Sequence, residues 1–421
     1  MSLHLRLRRS LKGFVLAIAV LMVIGMPIIW SMHRPADAPF GIHANPDRPE
    51  YEIQDFAFHL NILHQIWNES VPHPYRLADQ ERMIRLWFPD LAGSIPHAYS
   101  PVALALGLPL LAVPPAWAYF GITLLNAVLL LLLTWYYLLP RARNGVQAAA
   151  LLATFLGFYL LYLIFYMGQS ALITTCLLAS GFMLLQKRPQ QTRGDRFVGD
   201  LLLGCILYLS AAKPSFTPLL AIMILAEGAW LPLLVAGVSL AIIWLFLGNL
   251  YGGYISGLQD YENLLSHYRQ SDMTPFFASV WATDKFTNFA SALAALIPGS
   301  NALSFLFGRI LFEGLFLGLF AARLCRLISP TNLFQGLLWT FLLFCPYLLA
   351  TEDIAICLLI VEGNFFRPDP GAAWKVILVL FLVGPFARGL VFPLFFFIKL
   401  VLALWWLVDL MQVHYSRKTG P

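Results

Sequence analysis

The stretch PAWAYFGITLLNAVLLLLLTWYYLL at positions 115–139 decides the fold class. It is mostly apolar, it contains no charged residue, and the basic sequence PRAR follows it at positions 140–143. A helix needs about 20 consecutive apolar residues to cross the hydrocarbon core of a bilayer. The stretch therefore predicts a membrane-spanning helix, and the basic residues after it predict that this end lies in the cytoplasm.

The rest of the chain has the same apolar character. Of its 421 residues, 59% are hydrophobic and only 12% are charged, and the mean hydropathy is +0.73. A soluble domain carries about twice this charged fraction. The composition and the long apolar runs predict an all-α, polytopic integral membrane protein. The net charge of +5 is spread over short loops, which the positive-inside rule explains, so it does not indicate nucleic-acid binding.

Apolar runs and basic loops alternate in a way that predicts about twelve spans in a single transmembrane domain, 1–421, with both ends cytoplasmic. A basic N-terminal region precedes the first span and no clear cleavage site follows it, which indicates a retained span. Spans 2–7 occupy 115–250 and spans 8–12 occupy 302–411, with extracytoplasmic loops at 32–114 and 251–300. The predicted spans are 12–31, 115–139, 146–166, 170–186, 197–212, 216–229, 231–250, 302–322, 332–350, 354–363, 374–387 and 391–411.

The run from Ser100 to Pro115 is the main ambiguity in this topology. It is shorter than a normal span and rich in proline. If it crossed the membrane, the basic residues at 140–143 would lie outside, against the usual charge bias. We therefore predict that it lies flat on the membrane as an interfacial helix and belongs to the first extracytoplasmic loop.

A second interfacial helix is predicted in the same loop, at Glu50 to Trp67. Its apolar residues recur every three or four positions, as on one face of a helix. Asp55 lies beside this face, where a carboxylate could reach a substrate at the membrane surface. The alternative is an ordinary amphipathic helix with a solvated aspartate. Within the stretch, Glu52 is the rival carboxylate, three residues upstream and on a different face of the helix.

Other polar residues lie at the predicted outer ends of spans, where ionisable groups are costly and are functional candidates. Lys213 could hold a phosphate, or it could extend its amine to the interface. Arg309 and Glu313 are four residues apart, so they could pair on one helix face and neutralise each other. Glu352 and Asp353 could support a sugar, a metal or an acceptor, or they could form a solvated turn.

Cysteine and histidine patterns give no sign of a metal site. Cys176, Cys205, Cys325, Cys345 and Cys357 lie in or beside apolar runs and form no CxxC pair. We interpret them as small buried apolar residues without disulfides. The histidines of the first loop lack metal-ligand spacing.

The order of several motifs resembles the polytopic glycosyltransferases of the GT-C superfamily, and most closely family 87. The resemblance extends from about residue 50 to residue 360. Its pieces are a proline-led apolar segment and a span with Asn (99–133), Gly168-Gln169, Leu203-Gly204 through Ala211-Ala212-Lys213-Pro214, Asn301 with Ser304 and Arg309, and Cys345-Pro346 with Asp353. Two positions depart from the family pattern, because Ala302 replaces the usual Gln and Cys345 the usual Ser.

This resemblance implies a GT-C-like fold and an inverting hexosyl or pentosyl transferase in the inner membrane of a bacterium, with its active site outside. A sugar, usually of the mannose type, would pass from a polyprenyl-phosphate donor to a lipid or glycan acceptor. Asp55 would be the general base, and Lys213 and Arg309 would bind the donor phosphate. The substrate-binding candidates are Gln169, Asn301, Ser304, Glu352 and Asp353. No metal ligands are predicted, although a divalent cation at Glu352 or Asp353 is left open.

Two other functions fit the same sequence. One is a transporter or flippase for a lipid-linked sugar or small solute, which would more often show paired repeats and polar residues at the membrane midplane. The other is an inactive relative that acts as an assembly partner. Polar groups near one face and one large outer loop favour the enzyme.

Overall fold

A computed structural model of the chain agrees with the all-α prediction. It describes residues 10–21, 63, 64, 66, 73–76, 78–80, 82, 100–113, 115–156, 161, 164, 165, 170–213, 216–269, 289–297, 301–345, 350–363, 365–383 and 393–418. Within these ranges every regular element is a helix and no strand occurs.

The helices of the first half follow the predicted apolar runs. In chain order they are α1 (Ser10–Leu21), α2 (Pro101–Gly107), α3 (Pro115–Leu132), α4 (Gly145–Leu156), α5 (Ala171–Lys187), α6 (Arg193–Ser210), α7 (Thr217–Ala226) and α8 (Trp230–Leu247). α3 continues through a π-helical segment, Leu133–Leu138, to Arg141.

The helices of the second half include two in the second predicted outer loop. In chain order they are α9 (Tyr254–Arg269), α10 (Phe289–Leu296), α11 (Asn301–Leu324), α12 (Pro330–Phe344), α13 (Ile356–Val361), α14 (Ala372–Val383) and α15 (Pro393–Lys418). A 3-10 helix, Ala350–Ala355, leads directly into α13.

Among the residues that the structure describes, three helices are long and apolar enough to cross a membrane. They are Trp117–Arg141, Trp230–Leu247 and Leu303–Leu324, and they coincide with the second, seventh and eighth predicted spans. The other predicted crossings are not among these three, so the number of about twelve spans stays a prediction.

The ambiguous run from Ser100 to Pro115 is a short, broken helix. Pro101–Gly107 is α-helical, Leu108–Ala112 is a 3-10 helix, and α3 begins at Pro115. Rises of about 1.5 and 2.0 Å per residue give these two pieces a combined length of about 20 Å. The hydrocarbon core is about 30 Å thick, so the segment is too short to cross it alone. Its length therefore favours the predicted flat orientation.

By its internal contacts the chain divides into two compact units. The first unit comprises Met1–Val23, Leu130–Tyr162 and Trp281–Pro421, and the second comprises Ile24–Leu129 and Leu163–Val280. α12 is the core helix of the first unit, since every residue from 333 to 343 is buried. α10, α11, α15 and the 3-10 helix all contact α12.

In the second unit, α6 and α8 pack closely against each other, and α5, α7 and α2 contact this pair. The helices meet at Gly204. A Cβ atom there would lie 2.6 Å from Val235 Cβ and 2.9 Å from the carbonyl oxygen of Pro232. Only glycine permits this approach.

The cysteine interpretation is partly wrong. All five cysteines are free, but Cys205 and Cys325 are exposed. Cys205 lies on α6, and hydropathy does not distinguish the side of a membrane helix that faces lipid from the side that faces other helices, because both are apolar. Cys325 lies on the turn that follows α11.

Candidate active site

In the second unit, Lys213 lies on a turn between α6 and α7 that is held on both sides. Its backbone N–H donates to the carbonyl of Ser210 at 3.0 Å, and its own carbonyl accepts from the N–H of Phe216 at 3.2 Å. Ser210 is fixed in turn, because its hydroxyl donates to the carbonyl of Leu207 at 2.7 Å. The Nζ atom of Lys213 is buried although the residue as a whole is only half-buried. The turn thus keeps one ammonium group inside the protein.

Ser100 joins the proline-led segment to this turn. Its hydroxyl donates to the carbonyl of Ala211 at 2.6 Å, and the same oxygen accepts from the N–H of Ala103 at 3.3 Å. The second bond makes Ser100 the N-cap of α2. Two segments that are 111 residues apart in sequence therefore meet two residues before Lys213.

Two sequence-predicted site residues of the second unit, Asp55 and Gln169, lie outside the described residues. Gln169 immediately precedes Ser170, the residue before α5. Their roles stay predictions.

In the first unit, α11 carries three of the predicted site residues. Asn301 is its first residue, and its side chain lies outside the described part. Ser304 is buried. Gly308, one turn further on, lies where a Cβ atom would be 3.2 Å from Ala290 Cβ and 3.8 Å from the carbonyl of Phe344. This face of α11 therefore packs against α10 and the end of α12.

Arg309 lies on the exposed side of α11. Its Nε donates to Glu313 Oε1 at 2.6 Å, as the four-residue spacing predicts. The side chains are 43% and 55% exposed. Only 17% of the candidate span that contains this pair is buried. The pair therefore faces the surroundings of the helix and not its packed side.

Asp353 belongs to the 3-10 helix and is not a solvated turn residue. Its carboxylate accepts from Lys399 Nζ of α15 at 2.9 Å, and the two side chains are 2% and 0% exposed. Glu352 lies on the same 3-10 helix, but its side chain is outside the described part. Lys399 was not among the site residues predicted from the sequence. It is a lone lysine within the apolar run FFFIKLVLALWW, 395–406, and that isolation was the available signal.

A known protein family matches the segments that carry these motifs. The model of glycosyltransferase family 87 matches residues 97–351, more than half of the chain. The chain belongs to glycosyltransferase family 87. No curated protein and no solved structure matches it.

Membership confirms the predicted resemblance and makes the protein a membrane glycosyltransferase, which works with a sugar donor and an acceptor. The family 87 match includes Ser100, Lys213, Ser304 and Arg309. It begins after Asp55 and ends two residues before Asp353.

This family 87 enzyme also has a polar contact between its two predicted outer loops. His73 Nδ1 lies 3.1 Å from Asp260 Oδ2, and Arg76 Nε donates to the same carboxylate at 3.1 Å. Asp260 belongs to α9, in the second loop. The sequence predicts that both loops lie on the same side of the membrane, and the structure shows that they are in contact.

An aromatic cluster stabilises the same junction. Tyr75 stacks on Tyr251 with ring centroids 5.2 Å apart, and Tyr261 lies 4.8 Å from Tyr75. Trp244 also stacks on Tyr251, with ring centroids 5.8 Å apart. Burial raises the pKa of Tyr75 well above its usual value, and Tyr251 and Tyr261 add to this. Burial also raises the pKa of Tyr251, so both phenols stay neutral in ordinary buffers.

Across the ranges given above for the described chain, no three His, Cys, Asp or Glu side chains come together as metal ligands would. The cation left open at Glu352 or Asp353 is therefore a proposal that rests on residue type alone.

Proposed function

We propose that this glycosyltransferase moves a mannose-like sugar from a polyprenyl-phosphate donor to a lipid or glycan acceptor at the outer face of a bacterial inner membrane. The observation that carries the proposal is the buried ammonium of Lys213, on a turn tied to the Ser100 segment inside the family 87 match. A lipid-phosphate donor suits such a site, because its isoprenoid chain stays in the bilayer while its head group meets the protein.

Lys213 is the proposed ligand of the donor phosphate. A lysine acts on phosphate as a compact point charge, and its effect grows in a water-poor environment. As the sugar leaves, the phosphate gains negative charge, and a positioned cation stabilises that charge in the transition state. Arg309 is the second proposed ligand, and it would exchange Glu313 for the phosphate.

Asp55 is the proposed general base. It takes the proton of the acceptor hydroxyl while the acceptor oxygen forms a bond to the anomeric carbon of the sugar. The bond from this carbon to the phosphate oxygen breaks on the opposite side, and its electron pair leaves with the polyprenyl phosphate. One displacement of this kind inverts the anomeric configuration.

The remaining candidates would bind the sugar and the acceptor through hydroxyl hydrogen bonds. These are Gln169, Asn301, Ser304, Glu352 and Asp353. Whether the sugar is a hexose or a pentose is part of the test.

The test follows transfer of radiolabelled sugar from polyprenyl-phosphate mannose to a bacterial membrane-lipid acceptor by the purified enzyme. We expect Asp55→Asn to lower transfer by about 10²–10⁴-fold and Lys213→Met by about 10²–10³-fold. Glu52→Gln and Lys187→Met are the matched controls. Glu52 is in the same predicted helix as Asp55, and Lys187 is an exposed lysine in a predicted cytoplasmic loop.

Unchanged transfer by Asp55→Asn would refute the assignment of the base. If the wild type transfers a pentose and not mannose, the sugar assignment changes while the mechanism stands. If no polyprenyl-phosphate sugar is transferred but the protein moves such lipids across liposome membranes, the transporter function is correct.

A further inference from the structure

Two buried hydroxyl groups of the second unit make no hydrogen bond within the described part of the chain. They belong to Thr123 of α3, which is 3% exposed, and to Ser170, the residue before α5. A buried hydroxyl without a partner is unfavourable, because it has given up its bonds to water. Such a group in a native protein needs an explanation, and a ligand that supplies the partner is one.

Neither hydroxyl uses the backbone partner that its position offers. A threonine inside a helix can donate to the carbonyl four residues earlier, as Thr154 does to Ala150 at 2.9 Å, but Thr123 does not. A serine at an N-cap usually accepts an N–H of the first turn, as Ser100 does at α2. Ser170 begins α5 without such a bond. Both oxygens therefore remain available to another molecule.

Two contacts join α3 to α5 and the residues before it. The Tyr119 hydroxyl donates to the carbonyl of Phe165 at 3.0 Å, and the Cys176 thiol donates to the carbonyl of Leu129 at 3.7 Å. The residue numbers rise together from the first contact to the second. α3 and α5 therefore run in the same direction.

Thr123 and Ser170 lie at the same level between these two contacts. Ser170 precedes Cys176 by six residues, and Thr123 precedes Leu129 by six residues. Tyr119 and Thr123 are four residues apart, so their side chains share one face of α3. Because Tyr119 reaches the residues before α5 from this face, Thr123 lies on the side of α3 that is turned towards the start of α5.

The start of α5 is at the same end of the second unit as the Lys213 turn. α5 and α6 contact each other and are joined by only five residues, 188–192. Helices joined in this way run antiparallel. The start of α5, with Ser170, therefore lies at the end of α6 from which the Lys213 turn continues.

The proline-led segment extends this neighbourhood to α3. Its residues Leu110 and Leu111 pack with Ala118, which lies five residues before Thr123. Its first residue, Ser100, donates to the carbonyl of the turn that carries Lys213. One short segment thus contacts both the first part of α3 and the proposed ligand of the donor phosphate.

We propose that Thr123 and Ser170 bind hydroxyl groups of the sugar on the donor whose phosphate is bound by Lys213. The inference rests on the proposed function and deepens it, because it adds a subsite for the transferred sugar. A hydroxyl side chain can donate and accept at once, as a sugar hydroxyl does. Buried polar groups select strongly for a substrate that satisfies them, since an analogue without the matching hydroxyl leaves them unpaired.

The experiment removes one hydroxyl from the protein and one from the sugar. Transfer from polyprenyl-phosphate mannose and from its monodeoxy analogues is measured for the wild type, Thr123→Val and Ser170→Ala, together with thermal stability in detergent. Thr134→Val is the matched control. The Thr134 hydroxyl is also buried without a hydrogen bond in the described chain, but it belongs to the first unit, where no second hydroxyl of this kind is described.

We expect Thr123→Val and Ser170→Ala each to lower kcat/KM for the mannose donor by about 5–100-fold, because a sugar hydroxyl loses its partner. For the one monodeoxy analogue that lacks this hydroxyl, wild type and variant should have equal kcat/KM. The KM of the acceptor should stay unchanged. Both variants should melt at or above the wild-type temperature, since neither hydroxyl serves the fold. Thr134→Val should do the same and keep wild-type kcat/KM for every donor.

The proposal is overturned if either variant keeps wild-type kcat/KM for the mannose donor, or if Thr134→Val lowers it equally. It is also overturned if the loss is the same for every monodeoxy analogue, as a structural hydroxyl or one that holds a buried water would give. Where Thr123→Val does not fold, Thr123→Ala takes its place in the same comparison.

The proposed function is tested separately by wild-type transfer and its loss in Lys213→Met. If the wild type transfers another sugar from polyprenyl phosphate, the monodeoxy analogues of that sugar are used. A wild type that transfers no such sugar contradicts both the proposed function and this inference. A wild type that transfers, with variants that show no dependence on any sugar hydroxyl, contradicts the inference alone.

Discussion

At the scale of single residues, Ser100 does more than its position in a loop suggests. Its hydroxyl oxygen begins α2 as an N-cap and its hydroxyl hydrogen reaches the carbonyl of Ala211. The residue therefore connects the short helix α2 with the turn that carries Lys213. A hydroxyl is the smallest group that can serve as donor and acceptor at once.

Replacing Ser100 by alanine should consequently lower the free energy of unfolding by more than the loss of a helix cap alone would. Loss of a serine cap costs about 1 kcal/mol. Loss of the donor to Ala211 adds roughly another 1 kcal/mol and releases the Lys213 turn. Ser329→Ala is the matched control, because its exposed hydroxyl caps α12 by accepting from the N–H of Asn332 at 3.1 Å.

Thermal unfolding in detergent and the transfer assay check this. We expect Ser100→Ala to melt lower than Ser329→Ala and to transfer sugar more slowly, while Ser329→Ala keeps full transfer. Equal melting temperatures together with full transfer by Ser100→Ala would show that the contact with Ala211 has no role.

At the scale of helices, the closest packing of the second unit depends on a missing side chain. Gly204 of α6 lies against Val235 and the backbone of Pro232 in α8. Backbone cannot move aside as the end of a flexible side chain can. The helix carrying Lys213 at its C-terminal end thus has its position set by this contact.

Gly204→Ala should therefore destabilise the enzyme, even though alanine favours helix over glycine by about 1 kcal/mol. Forcing a methyl group into a packed contact typically costs about 1–3 kcal/mol. Gly237→Ala in α8 is the control, since a Cβ atom there meets nothing within 4 Å. The melting temperature should fall for Gly204→Ala and stay level or rise for Gly237→Ala. A rise for both variants would contradict the packing.

The helices were more predictable from sequence than their contacts, for physical reasons. Bilayer thickness sets the length of apolar runs, so most predicted spans lie close to helices of the structure. α6 starts earlier than the predicted 197, at Arg193, because Thr192 caps it by accepting from the N–H of Asp195. A local pair such as Arg309 with Glu313 follows from its spacing.

The partners of the predicted site residues did not follow from sequence in the same way. Lys399 meets Asp353, and Ser100 meets Ala211, only through tertiary packing across many residues. Sequence identified Asp353 and Lys213 as polar groups that needed a reason. Without the fold it could not supply their neighbours.

At the scale of the whole molecule, the inner end of predicted span 10 and the loop after it, which is predicted to be cytoplasmic, are held by several contacts. The Glu362 carboxylate accepts from Arg141 at 2.8 Å and from the Tyr137 hydroxyl at 2.7 Å. The carbonyl of Glu362 accepts from Gln335 at 2.6 Å, and that of Phe366 accepts from Asn144 at 3.0 Å. These contacts hold the segment within the first unit.

Two contacts within the first unit also agree with the predicted topology. Arg141 follows the end of span 2 that is predicted to be cytoplasmic, Glu362 lies at the predicted cytoplasmic end of span 10, and the two form an ion pair. Lys12 and Leu139 were assigned to that side as well, and the lysine amine donates to the leucine carbonyl. The topology itself remains a prediction, because the side of the membrane assigned to every later loop depends on whether the segment 101–112 crosses the membrane.

Cysteine labelling determines on which side of the membrane the loops after segment 101–112 lie. Arg143 and Glu262 are exposed positions that the topology assigns to opposite sides. In a background without native cysteines, Glu262→Cys should react with a membrane-impermeant maleimide in right-side-out vesicles. Arg143→Cys should react only after the vesicles are made permeable. If segment 101–112 crosses, every later side is inverted, and Arg143→Cys reacts first instead. Because Lys213 would then face the cytoplasm, the same result would also move the proposed donor site to that side of the membrane.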